Sequence, residues 1–297
     1  ASYLASTLQA QGDLAGAIGL QRETLRRMQA LRPDEPQTLL AAVSLADMLQ
    51  ARGEVSHAAQ LLHATFEVQK RLLGLEHPNT SMTARKLAEV MRAQGDFPMA
   101  VQLLQETLDV RRRVLGPEHP NTLNVAMNLA GALQDQGELV AALQLQQQTF
   151  EIQRRVLGPE NPNTLATAAI LAEMLQTRGD LTAAVQLLRE SVEAQTRVLG
   201  PDHPVTLNMF AGLARMLRAQ GQLPQAIEML RSCFEAERRM LGKDHPTTLA
   251  TGLDLAASLH MGGDLPGAKQ LLRETLEAQR RALGPDHPHT RMMAKVQ

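Results

Sequence analysis

Seven prolines, Pro36, Pro78, Pro120, Pro162, Pro204, Pro246 and Pro288, each open a Pro-x-Thr joint, and each lies 42 residues after the one before. A fixed interval of that length marks a chain built from stacked supersecondary units rather than one wrapped around a single core. A glycine series tracks it: Gly12, Gly53, Gly95, Gly137, Gly179, Gly221 and Gly263 are also 42 apart, except for a first step of 41 where one residue is missing after Thr24. The period divides the chain into a partial first unit at 1–35, complete units at 36–77, 78–119, 120–161, 162–203, 204–245 and 246–287, and a stub of a further helix at 288–297. A single array then fills residues 1–297, with nothing outside the pattern.

Each unit carries two helical patterns. In the unit beginning at Pro120, the residues Leu123, Ala126, Leu129, Ala130 and Leu133 recur at spacings of three and four, one stripe of a helix that Gly137 ends. This is helix A. Beyond the glycine, Leu139, Ala142, Leu145, Thr149, Phe150, Ile152, Val156 and Leu157 give a wider apolar face for helix B. Gly158 supplies a left-handed cap, Pro159 forbids continuation, and Pro162 opens the next helix A, where its missing N–H costs nothing. Helix A repeats a Leu-Ala pair, from Leu4-Ala5 through Leu45-Ala46 and Leu129-Ala130 to Leu255-Ala256, and helix B repeats an alanine at Ala17, Ala58, Ala100, Ala142, Ala184, Ala226 and Ala268. Methyl groups at these points let neighbouring helices approach to the short end of the roughly 8–10 Å interaxial range.

The run Asn128 to Ala142, N-L-A-x-x-L-x-x-x-G-x-L-x-x-A, resembles the tetratricopeptide repeat, and R-x-L-G-P-x-H-P-x-T at Arg113 to Thr122 resembles its 42-residue kinesin light chain type. The resemblance covers the whole chain. It implies an all-α, right-handed superhelical solenoid whose helix A faces line a concave groove for peptides or protein partners. Similar bacterial arrays resemble regulatory arms of signalling NTPases and caspase-like peptidases, which makes an inhibitory sensor arm the alternative to a free-standing interaction scaffold. Kinesin light chain arrays place an Asn pair before the Leu-Ala to clamp cargo. Here Asn128 matches, while Ser44, Lys86, Ile170, Gly212 and Asp254 do not, so the architecture carries over and the cargo preference does not.

Composition excludes several other functions. Lys plus Arg total 30 against 31 Asp plus Glu, so no global positive field gathers nucleic acid or anionic lipid, and with 2% aromatics there is no platform for stacking bases. No run of about 18 apolar residues could span a membrane, and the start carries no signal-peptide pattern, which makes the cytoplasm the expected location. One cysteine, Cys233, rules out an internal disulfide; it aligns with Thr107, Thr149, Ser191 and Thr275 and reads as packed core. His77, His119, His203, His245 and His287 recur at the joints, with Glu35 and Asn161 in the other two, but equivalent positions stand a helix-packing distance apart, too far to share a metal. They read as caps beside helix N-termini. No cofactor, metal or catalytic residue is expected, and a stand-alone hydrolase is the weakest reading. The first residue is not Met and the ends look cut, which suggests a piece of a longer chain, with end-to-end self-association as a consequence.

Two basic features remain. Paired arginines such as Arg112 with Arg113, Arg154 with Arg155, Arg238 with Arg239 and Arg280 with Arg281 recur near helix B ends, and Glu67, Asp109, Glu151, Glu193, Glu235 and Glu277 each precede by four residues Arg71, Arg113, Arg155, Arg197, Arg239 and Arg281, a spacing that predicts i,i+4 ion pairs. The outward face of helix A varies between repeats and holds the candidate partner site: Arg85, Lys86 and Arg92, the amides Asn124, Asn128 and Asn208, and Arg215 with Arg218. Its expected ligand is an extended, acidic protein segment.

Overall fold

Proline and glycine punctuate the folded chain at the register set by the sequence. The computed structural model describes residues 13–283. Among these, regular structure is α-helical throughout: α1 (Leu14–Leu31), α2 (Pro36–Ala51), α3 (Val55–Leu73), α4 (Pro78–Gln94), α5 (Phe97–Leu115), α6 (Pro120–Gln136), α7 (Leu139–Val156), α8 (Pro162–Arg178), α9 (Leu181–Leu199), α10 (Pro204–Ala219), α11 (Leu223–Met240), α12 (Pro246–Met261) and α13 (Leu265–Leu283). Even-numbered helices are the A helices and odd-numbered ones the B helices. Leu4, Ala5, Gly12, His287, His289, Met292, Met293 and the stub from Pro288 lie outside the described residues.

The joint histidines cap helix A. Nδ1 of His77, His119, His203 and His245 accepts the backbone N–H of Asn79, Asn121, Val205 and Thr247 at 3.1–3.3 Å, and Oδ1 of Asn161 accepts that of Asn163 at 2.9 Å. A ring nitrogen and an amide oxygen thus fill one role, satisfying an N–H that the first helical turn leaves without a partner. Helix A ends on left-handed glycines at Gly95, Gly137 and Gly179. Helix B ends differently from the expectation of a left-handed cap. Gly74, Gly116 and Gly200 combine φ of +79 to +89° with ψ of 161–164°. That conformation is open essentially to glycine alone, and it turns the chain sharply into the joint instead of adding a last half-turn.

Packing divides the chain into two compact units, one through Thr149 and one from Phe150, with the boundary inside α7. In each unit the helices pack mainly on their chain neighbours. The repeated small residues are the tightest points: Ala46, Ala58, Ala100, Ala130, Ala142, Ala172, Ala184, Ala214 and Ala226 are fully buried. A side chain larger than methyl at these sites would force the paired helices apart.

The apolar arc of helix B is centred elsewhere than the sequence stripe indicates. Gln146 and Gln153 are buried, whereas Val156 is 46% exposed at the edge of the arc in the last turn. The same edge position is exposed at Leu72, Val114, Val198 and Met240.

Candidate functional site

Helix A is buried over most of its circumference because it packs on B helices of both its own and the neighbouring repeat. In α6, Leu123, Val125, Ala126, Leu129, Ala130 and Ala132 are all buried, which leaves a narrow strip containing Asn124, Asn128 and Asp135. The candidate residues lie on this strip in both units: Arg85, Lys86 and Arg92 on α4 and Asn124 and Asn128 on α6 in the first, Asn208, Arg215 and Arg218 on α10 in the second.

The strip's cations are tied to acids, most of them on the adjacent A helix. Lys86 Nζ donates to Asp47 of α2 at 2.6 Å, and Arg92 Nε donates to Asp135 of α6 at 2.6 Å. Arg92 lies across Gly131, where an added Cβ would stand 3.1 Å from the guanidinium, so the glycine clears its path to the acid. Arg85 pairs with Glu89 on its own helix. In the second unit Arg215 and Arg218 converge on one carboxylate, Asp254 of α12, at 3.2 and 3.4 Å; Arg218 also donates to the Asp254 carbonyl at 3.0 Å. These partners stand 36, 39 or 43 residues away in the chain, beyond any helical spacing, so the sequence alone does not reveal them. The amide of Asn128 donates to the Asn124 carbonyl at 2.8 Å, so one of its donors is spent within the helix, while Asn124 and Asn208 are exposed.

The tetratricopeptide repeat family model matches residues 37–113, 82–134, 121–196, 165–239 and 212–281, and a second model of the same repeat matches 1–34. The chain belongs to the tetratricopeptide repeat family. Its repeats are of the kinesin light chain type. The structure of nearly identical TPR-like repeats of a Podosopora anserina kinesin light chain is similar at 31% identity and a TM-score of 0.64, covering 70% of this chain and 99% of the other. BtubC of P. vanneervenii shares the fold at 16% identity and a TM-score of 0.66, over 79% of this chain and 94% of its own. RapI in its apo form does so at 13% identity and 0.61, over 94% and 96%. No curated protein matches the sequence. The tetratricopeptide fold is a protein–protein interaction scaffold.

Within the tetratricopeptide array the helix B arginines depart from the expected i,i+4 pairing. Arg71, Arg197 and Arg281 reach Asp34, Glu160 and Asp244, acids in the preceding joint 37 residues earlier, at 3.9, 3.0 and 3.0 Å. A long guanidinium in the last turn of helix B faces the start of its own repeat, and that contact ties the two ends of the hairpin. Cys233 is buried as expected for packed core, and burial, with Glu237 beside it, pushes its thiol up to about 12. A thiol held so high is protonated and a poor nucleophile.

A buried polar column on helix B was not read from the sequence. Gln69, Arg111, Gln153, Gln195, Glu237 and Gln279 recur every 42 residues, each no more than 8% exposed. Arg111 donates to Ser81 at 2.9 Å and to the His77 carbonyl at 3.1 Å, and burial lowers its pKa from the ordinary value. Glu237 is fully buried, and neither carboxylate oxygen makes a well-formed hydrogen bond. Burial raises its pKa, with Thr251 and His245 acting in the other direction. The signal was available, since stepping by 42 from any one of these residues finds the rest.

Proposed function

We propose that the protein captures an extended, acidic segment of a protein partner on the strip of A helices in its second unit. One observation carries the reading: Arg215 and Arg218 share the single carboxylate of Asp254 on an otherwise narrow, exposed face. Two guanidiniums on one acid leave donors and net positive charge for a ligand carboxylate, and charge-assisted bonds of that kind are short and directional. In the first unit each cation of the corresponding strip has its own acid, which leaves it without that surplus of positive charge. Sequence change along the strip, set against the fixed buried alanines, fits a surface used for recognition. Fluorescence anisotropy with a labelled, extended Asp- and Glu-rich peptide tests the proposal. Arg215→Ala with Arg218→Ala should weaken binding at least tenfold with the helical circular dichroism retained. Unchanged binding by a folded double variant would overturn it.

A further inference from the structure

On the side of the B helices, one groove of the second unit differs from its neighbours. Both α9 and α11 pack on α10, and the groove between them encloses about 710 Å³. The equivalent grooves, between α7 and α9 and between α11 and α13, enclose about 270 and 330 Å³.

Three departures from the neighbouring repeats accompany the difference, two of them substitutions and one a missing contact. Phe210 stands where the other repeats place Ala42, Ala84, Ala126, Ala168 and Gly252. Val192 is likewise smaller than its counterparts Phe66, Leu108, Phe150, Phe234 and Leu276, and both Val192 and Phe210 line the groove. One repeat on, the exchange is reversed, with Phe234 lying 3.0 Å from a Cβ placed on Gly252. Secondly, the ion pairs that join successive B helices, Lys70 with Glu106 and Arg154 with Glu190, are replaced at this register by Thr196 and Ser232. Thirdly, Arg239 and Asp202 occupy the register of the Arg197–Glu160 and Arg281–Asp244 pairs, yet no ion pair joins them; both line the open groove. Arg189 still donates to Gln225 Oε1 across this groove at 3.3 Å, but the ion pair to the joint that both neighbouring grooves share is absent from it.

Its charge is also different. Glu193, Asp202, Glu228 and Glu235 line it against two cations, Arg189 and Arg239. The α7–α9 groove has two acids and two arginines, and the α11–α13 groove has more cations than acids. Beneath the acidic rim the floor is apolar, formed by Phe210, Leu213, Leu217 and Met229. An apolar floor of this volume with a few convergent charges is the ordinary make-up of a ligand site.

We propose that this groove is a second recognition site, for a basic amphipathic peptide segment that seats a bulky apolar side chain on Phe210 and Met229 and sets Lys or Arg side chains against the surrounding carboxylates. It is independent of the acidic-segment site on the A helices and opposite to it in charge. Anisotropy with the full chain and three labelled hexapeptides tests it: Lys-Lys-Leu-Phe-Lys-Lys, its counterpart with Glu in place of Lys, and its counterpart with Ala-Ala in place of Leu-Phe. The first should bind saturably and at least tenfold more tightly than the other two. Glu228→Lys with Glu235→Lys should weaken it at least tenfold, and Ser232→Trp, an exposed position at the mouth, should abolish it while the fold is retained. No saturable binding of the first peptide, equal binding of the acidic one, or indifference to both variants would overturn the proposal. Self-association seen by sedimentation and abolished by Glu228→Lys with Glu235→Lys would assign the groove to a second copy and would overturn it equally.

Discussion

Glu237 shows what the 42-residue register demands of a single side chain. At four of the six positions in its column the residue is Gln, which fits the space without charge; at Glu237 the same shape is kept by a carboxyl buried away from water with no well-formed hydrogen bond to its oxygens. The groups around it are the Cys233 thiol on its own helix, His245 at the joint that ends its repeat, and Thr251 on the next helix A. Because burial raises its pKa in the folded protein, the stabilising form is the protonated one. The contribution is complete below the unfolded value of about 4.3 and is lost as pH rises through the raised folded value. Glu237→Gln should therefore unfold at higher denaturant than the parent at about pH 8, with the gap closing toward about pH 4. Chemical denaturation at the two pH values checks this. A variant less stable than the parent at the higher pH would mean that the carboxylate is satisfied when charged. That residue type was printed in the sequence, but its burial was not legible, because an apolar stripe is sought in Leu and Ala and passes over a polar residue at the centre of the arc.

At the scale of the helix, most of the structure was legible because caps and breakers are local. Proline at the first turn, glycine after the last and histidine at the joint act within four residues of themselves, and each helix A begins and ends where they place it. What differed was likewise physical. The helix B arginines were read within their own helix, whereas Arg197 and Arg281 reach the acid at the far end of the hairpin, a contact that exists only once the two helices fold against each other. The cap makes a direct prediction. His119→Ala removes the acceptor for the Asn121 N–H and should cost about 1 kcal/mol, while His119→Asn should cost little, since Asn161 fills the same role in the next repeat. Urea melts of the two variants compare them. Equal losses would place the histidine's contribution in its packing rather than in its acceptor nitrogen.

For the whole molecule, a repeated scaffold confines individuality to departures from the repeat, and the departures fall on two kinds of surface. One is the strip of A helices, where the cations named from sequence are present but are held by carboxylates about one period away: Lys86 by Asp47, Arg92 by Asp135, Arg215 and Arg218 by Asp254. The other is the acidic groove around Phe210. Sequence reasoning reached the strip because it sought variable residues opposite fixed ones. It missed both the pairing and the groove, which depend on the offset between stacked helices and on how volume is redistributed when Phe210 and Val192 take the places of a small and a large residue. The central functional claim is that Arg215 and Arg218 are recognition groups restrained by Asp254 rather than structural ties. If so, Asp254 competes with the ligand for the same donors, and removing its charge frees them. The deciding measurement is the affinity of the Asp- and Glu-rich peptide for Asp254→Asn against the parent at low salt. Binding that tightens several-fold, with the gain shrinking as salt is raised, is the predicted result; affinity that is unchanged or weaker in a folded variant would contradict it.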